Sequence, residues 1–309
     1  MIVLIGKGGV GRTTCAAALG FCAAGQGIRT LMMETDGRAP LASAFGVEPS
    51  FEPVEVSPLF STMILDGGHS LQEYLRLVVP GRHMLGAVFS SRLYQLFVQA
   101  APGLRELMML GKVYYECERA SDGKNGHLII VDAPASGHAL NLLRMPGAAR
   151  ATFGSSIVGG EADNIQKLIR DPRRCAIVEV TTADALALSE LLETHDSLRD
   201  LHLHPAVILL NRFVAVEFDS SDVTQLVQQA RTTGAFKEIP HLADIARGEL
   251  ARSGRSREVA ARIRHHTRAQ VVEVPELTES HGRELVQALA SFFAARLNGH
   301  SVRHVAAKG

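Results

Sequence analysis

The chain has 309 residues, 46% hydrophobic and 21% charged, which is enough apolar material for one large core or two smaller ones and excludes a disordered chain. Lys plus Arg and Asp plus Glu both number 32, a balance that argues against nucleic acid as the main partner. No apolar run approaches the roughly 18–20 residues of a membrane span and no secretory leader pattern opens the chain, so a cytoplasmic protein is expected.

Residues 1–5 read as a fully buried strand. A glycine-rich stretch, Gly6 to Thr14, follows and merges into an Ala-rich helix over 12–24, closed near Gly25 and Gly27. Arg29 to Glu34 reads as a second strand, completing a βαβ unit. It delivers Asp36 at its C-terminal end, where ligands sit in open α/β sheets. The turn Asp36-Gly37-Arg38-Ala39-Pro40 leads into a short helix ending at Phe45 and Gly46. Residues 47–60, with Pro49, Pro53 and Pro58, read as a connection, with a strand after it at Ser61 to Leu65.

A helical pattern starts at Ser70, and residues 84–119 read as helical throughout. Leu85, Val88, Phe89, Leu93, Leu96 and Phe97 recur at helical intervals, as do Leu104, Leu107, Met108, Leu110, Val113 and Tyr114. This block is rich in Met and aromatics. It reads either as a helical layer packed on the domain or on a second copy, or as a surface for an apolar partner. Sheet logic returns at His127 to Asp132. Residues 139–170 are helical or loop with a flexible centre at Gly154 to Gly160. A fourth strand spans Cys175 to Val180 and a fifth Ala206 to Asn211. Helices are expected over Asp184 to Glu193 and Val223 to Ala230, and Phe236 to Pro240 leads into another. A short strand at Val271 to Pro275, an amphipathic helix over Gly282 to Leu297 and a frayed tail complete the chain.

Four pieces of chemistry converge. The spacing Gly6…Gly11-Arg12-Thr13 follows the phosphate-binding loop Gly-x-x-x-x-Gly-Lys-Ser/Thr, except that Arg12 stands where the motif has Lys. Gly6, Gly8, Gly9 and Gly11, with Val10 and Lys7 between them, allow backbone N–H groups to turn inward around an anion. The following helix points its N-terminus at the same anion. Thr13 supplies a hydroxyl for Mg²⁺, and Thr14 can reach another phosphate oxygen. Four apolar residues ending in Asp132 make a Walker B strand, which presents a carboxylate on the magnesium side. Asp36 can orient or deprotonate an attacking water. Gly6 to Gly11 also satisfies the dinucleotide pattern Gly-x-Gly-x-x-Gly, with Glu34 or Asp36 as the ribose acid. The tandem Thr13-Thr14 and the Walker B strand favour a nucleoside triphosphate.

The loop resembles the deviant Walker A of the MinD/ParA-type ATPases, with its early lysine at Lys7. More widely, the chain resembles the arsenite-pump (ArsA) and tail-anchored-protein-targeting (Get pathway) ATPases. Their Asp-Pro-Ala-His-Asn/Ser-Leu segment and its continuation Ala-Phe-Gly are matched by Asp36 to Leu41 and by Ala44-Phe45-Gly46. Their switch II, Asp-Thr-Ala-Pro-Thr-Gly-His-Thr-Leu-Arg, is matched by Asp132 to Leu140. Asn211 and Arg212 resemble the adenine-reading segment, and Ile239-Pro240 the segment beside the base.

The resemblance implies an α/β fold, a doubly wound and mostly parallel sheet of the P-loop NTPase type. A helical subdomain would be inserted at about residues 60–120 and 139–170. It implies an ATPase that uses ATP/ADP and Mg²⁺, the metal held by Thr13 and, through water, Asp132. Lys7 would cross a twofold interface to the partner's phosphates, and Asp36 would activate water. The helical subdomains would form a composite surface for an apolar protein client or membrane-protein segment, in a homodimer or a heterodimer with a paralogous ATPase.

The departures from the family define the alternatives. Arg12 keeps the loop's positive charge but is larger and planar. Ala39 stands where the family has His. The four cysteines, Cys15, Cys22, Cys117 and Cys175, form no CxxC, so no zinc is expected and arsenite transport is disfavoured. The leading expectation is a dimeric ATP-hydrolysing switch. The alternatives are a catalytically impaired nucleotide-binding paralogue and a MinD/ParA-like positioning ATPase.

Overall fold

Apolar runs without alternation make strands buried on both faces, and Ile2 to Gly6, with one flank partly open and four residues fully enclosed, is the first of these. The computed structural model of the chain describes residues 1–37, 39–78, 92, 103–122, 127–233, 239–277 and 282–299. In chain order these form β1 (Ile2–Gly6), α1 (Arg12–Gly25), β2 (Arg29–Glu34), α2 (Pro40–Ala44), β3 (Val54–Ser57), β4 (Phe60–Ile64), α3 (Gly67–Val78), α4 (Leu104–Asp122) and β5 (His127–Asp132). They continue as α5 (Ser136–Phe153), α6 (Ile157–Arg170), β6 (Ala176–Thr182), α7 (Ala185–Asp200), β7 (Val207–Phe213), α8 (Ser220–Thr233), α9 (Ile239–His266), β8 (Gln270–Pro275) and α10 (Gly282–Leu297).

The strands form one sheet in the order β3-β4-β2-β5-β1-β6-β7-β8. Every neighbouring pair is parallel except β3 and β4. This is a doubly wound, mostly parallel α/β sheet. β1 lies at its centre, between β5 and β6, so the chain's crossovers leave it in opposite directions, and the loop after it opens at the switch point where such sheets bind ligands. Side chains alternate between two cores. Val3, Ile5, Met33, Ile129, Val131 and Ile177 face α4, α5 and α6. Leu4, Met32, Ile130, Val178 and Leu209 face α1 and α10. A third cluster seats α7 and α9 on β7 through Leu188, Leu191, Ile208, Leu210, Ala260 and Ile263.

The layer over the second core is thin because α1 buries small residues, Cys15, Ala16, Ala17, Ala18 and Cys22. A Cβ on Gly20 would lie 2.4 Å from the Phe60 ring, so glycine lets the helix settle onto β4. Phe21 stacks on Phe45 and meets Phe60 edge-on, both with ring centroids 4.8 Å apart, which ties α1 to the end of α2 and to β4.

Two sequence readings change, and a third is answered only in part. The connection over 47–60 contains an edge strand, β3. Val54-Glu55-Val56 is too short to show periodicity by itself. It becomes a strand by pairing with β4, and the flanking Pro53 and Pro58 fit the edge of a sheet. The break between α5 and α6 is shorter than expected. Ser156 accepts a hydrogen bond from Gly159 N (3.3 Å) and so caps α6, drawing Gly159 and Gly160 into its first turn. In the Met- and aromatic-rich block, Leu85, Val88, Phe89, Leu93, Leu96 and Phe97 lie outside the described residues. The described part, α4, turns Leu107, Leu110 and Val113 into the first core, with Met108, Met109 and Tyr114 packed against it. Arg38 and residues 234–238 of the expected lead-in to α9 also lie outside the described residues.

Candidate functional site

The loop between β1 and α1 takes its shape from two left-handed glycines, Gly9 and Gly11, both at φ 88°. Gly6 ends β1 in register with Val180 of β6, while Gly8 and Gly9 are exposed at the mouth and Val10 is buried beneath them. Gly11 is the N-cap of α1 and offers no side chain to cap it, and no acidic residue occupies the first turn. The first helical bond runs from Cys15 N to Gly11 O at 2.9 Å. The N–H groups of Arg12, Thr13 and Thr14 therefore have no acceptor within the helix, and they point out of a helix end that carries partial positive charge. That arrangement suits an anion.

Asp132, at the C-terminal end of β5, is 1% exposed, so its charge must be matched locally. Thr13 Oγ donates to one carboxylate oxygen at 2.6 Å, and Arg12 Nε donates to the other at 2.6 Å. Arg12 also donates through one terminal nitrogen to Gly6 O at 3.1 Å. Asp132 is fixed from behind as well, because Thr35 donates to its carbonyl from both its hydroxyl (2.8 Å) and its backbone N–H (3.3 Å). Hard oxygen donors such as Thr13 and Asp132 suit magnesium, but here the guanidinium already neutralises the only buried carboxylate of the pair. The oxygen set fits the metal; the charge count does not call for it.

Asn211, at the end of β7, is buried and donates through Nδ2 to Val10 O at 2.9 Å. Its side-chain amide thus braces the loop. The register of β7 on β8 shifts between Leu210 and Phe213, and Arg212 takes φ 55°, which turns Asn211 toward the loop and leaves Arg212 exposed. Lys7 is partly buried and forms no ion pair with another described residue. Asp36 lies two residues beyond β2, whose last residue, Glu34, is in register with Asp132. Thr14 is partly exposed in the first turn of α1. Pro240 stands at the start of α9, and its side chain lies outside the described residues. The fold thus gathers the loop, Arg12, Thr13, Asp132 and Asn211 by direct contact, and it brings Asp36 to the same edge of the sheet.

Two buried carboxylates escaped the sequence reading as supports. Glu34 is 0% exposed, accepts from Thr62 Oγ (2.6 Å) and Leu41 N (2.9 Å), and so anchors the start of α2 behind Asp36. Glu179 of β6 is paired with His195 Nδ1 of α7 at 2.7 Å, both side chains being buried. Its other oxygen has no partner among the described residues, and burial pushes its carboxyl above the usual range. Glu179 lines a small cavity beneath the loop together with Gly6, Lys7 and Ser136. A charge inside each apolar run, Leu31-Met32-Met33-Glu34 and Ile177-Val178-Glu179-Val180, was the available signal. The four cysteines are buried and none is in a disulfide.

Comparison with known proteins adds a second line of support. The family model described as anion-transporting ATPase matches residues 1–158, just over half of the 309. ATPase BagA of Mycobacterium tuberculosis is 27% identical over 240 residues, 73% of this chain and 68% of its own. ATPase GET3B of Arabidopsis thaliana is 26% identical over 69% of this chain and 64% of its own. An arsenical pump-driving ATPase of Acidiphilium multivorum is 26% identical over 67% of this chain and 38% of its own. The matched family segment runs from β1 into the start of α6 and so includes the loop, Asp36 and the Asp132 segment.

Proposed function

The chain belongs to the anion-transporting ATPase family, and from that premise we propose that it is an ATP-binding, ATP-hydrolysing switch that dimerises with its nucleotide state. The observation that carries this reading is the uncapped N-terminus of α1 opening beside Asp132, with Thr13 bonded to that carboxylate at 2.6 Å. Backbone N–H groups of the loop and of the first turn would hold the phosphates. Thr13 would hold magnesium when it is bound with nucleotide, with Asp132 behind it, and the metal would supply neutralisation of phosphate charge. Asp36 would accept the proton of the attacking water. Lys7, which forms no ion pair with another described residue, would reach across a twofold interface to the partner's phosphates. Coupling to an apolar client rests on the family alone, since Leu107, Leu110 and Val113 of α4 face the core.

A second reading is favoured by one contact. The pairing of Arg12 with Asp132 commits part of the loop's cation to a buried carboxylate, as expected for a nucleotide-holding partner of an active relative. ATP turnover and sedimentation of wild type, Arg12→Lys and Asp36→Asn separate the two. The switch predicts measurable turnover, a shift to dimer with ATP, and a loss of roughly 10²–10⁴-fold in Asp36→Asn with ATP binding kept. ATP binding with neither turnover nor a change of oligomeric state would select the second reading, and absence of ATP binding would remove both.

A further inference from the structure

Arg12 is placed differently from a residue whose only task is to contact phosphate. Its Nε–H is spent on Asp132 at 2.6 Å and one N–H of a terminal nitrogen on Gly6 O at 3.1 Å. A guanidinium has five N–H donors in a planar fork, so three remain. Arg12 is 13% exposed while Asp132 is 1% exposed, so the arginine is the more open member of the pair. Arg12 is also the first residue of α1, at the helix end where the N–H groups of Thr13 and Thr14 await an anion. One fixed cation therefore sits between a buried carboxylate and the anion-binding turn. A magnesium ion would supply positive charge at that same place.

We propose that Arg12 is the cation that joins Asp132 to the phosphates of a bound nucleotide, so that nucleotide binding by this chain does not require magnesium. The proposal rests on the nucleotide-binding reading and concerns affinity, not turnover. A lysine at the same position has one compact ammonium and no fork. Its three donors all sit on one nitrogen, so it cannot span from the carboxylate to a phosphate as the guanidinium's separate nitrogens can, and Arg12→Lys should restore a need for the metal.

The test is the dissociation constant for ATP by isothermal titration calorimetry, for wild type and Arg12→Lys, each with saturating magnesium and with EDTA. Wild type is expected to lose no more than about threefold in EDTA, and Arg12→Lys about tenfold or more. A purely structural arginine would weaken the variant equally in both conditions and leave the two ratios alike, which would overturn the proposal. If Arg12→Lys does not fold, the wild-type ratio still decides, because a loss of about tenfold in EDTA is incompatible with a resident cation at this position. If neither protein binds ATP with magnesium present, the nucleotide-binding reading falls and takes the proposal with it.

Discussion

At Gly11 three requirements meet: a left-handed backbone, the start of a helix, and room for the Asn211 amide. A Cβ there would lie 2.3 Å from Asn211 Nδ2, at φ 88°. Gly11→Ala is expected to cost roughly 1–2 kcal/mol from the backbone alone and, in addition, to push Asn211 off Val10 O. Asn211→Ala removes that 2.9 Å bond and should cost about 1 kcal/mol. The two losses share one contact, so Gly11→Ala should cost less in the Asn211→Ala background than alone, as read by urea denaturation of all four proteins. Additive losses would show that Asn211 does not brace the loop. The glycines and the terminal Asn were visible in the sequence, but the bond from Asn211 to Val10 O was not, because it joins residues 201 positions apart.

Helix α1 shows how an element is fitted to its neighbours. A Gly→Ala change inside a helix usually stabilises by roughly 0.5–1 kcal/mol. At Gly20 the opposite sign is expected, since the new methyl would lie 2.4 Å from a Phe60 ring that is 0% exposed and held edge-on by Phe21. Gly20→Ala should therefore destabilise by about 1–3 kcal/mol, and Phe60→Leu should recover part of that loss in the double variant. A stabilised Gly20→Ala single variant would show that β4 can yield. The helix itself was legible from its Ala-rich run, as were β1, β2 and β5. Edge strand β3 was not, because it exists by pairing with β4 and not by its own periodicity.

Across the whole molecule, buried thiols lie on both sides of the sheet, Cys117 and Cys175 in one core and Cys15 and Cys22 in the other. Burial, with the Asp132 carboxylate second, pushes Cys15 up to about 12, and burial takes Cys175 to about 12 and Cys117 to about 11. These folded values exceed the unfolded thiol's value of about 8.5. The native state therefore keeps protons that the unfolded state releases. The resulting stability is fully present below the unfolded value and is lost as pH rises through the folded ones. Chemical denaturation from pH 8 upward should show stability falling in this range, and an aromatic disulfide reagent should react with these three thiols at pH 8 only after denaturant is added. Rapid reaction of the native protein would refute the burial argument. The sequence alone determined the glycine loop, the parallel sheet and the carboxylates at strand ends, because glycine spacing and unbroken apolar runs are local properties. Only the tertiary structure decided that Arg12 answers to Asp132, that Asn211 holds the loop, that Glu34 anchors the start of α2, and that Glu179 lies beneath the loop. A charged side chain takes whichever buried counter-charge lies within reach, and strand register, set by packing between distant segments, determines which one that is.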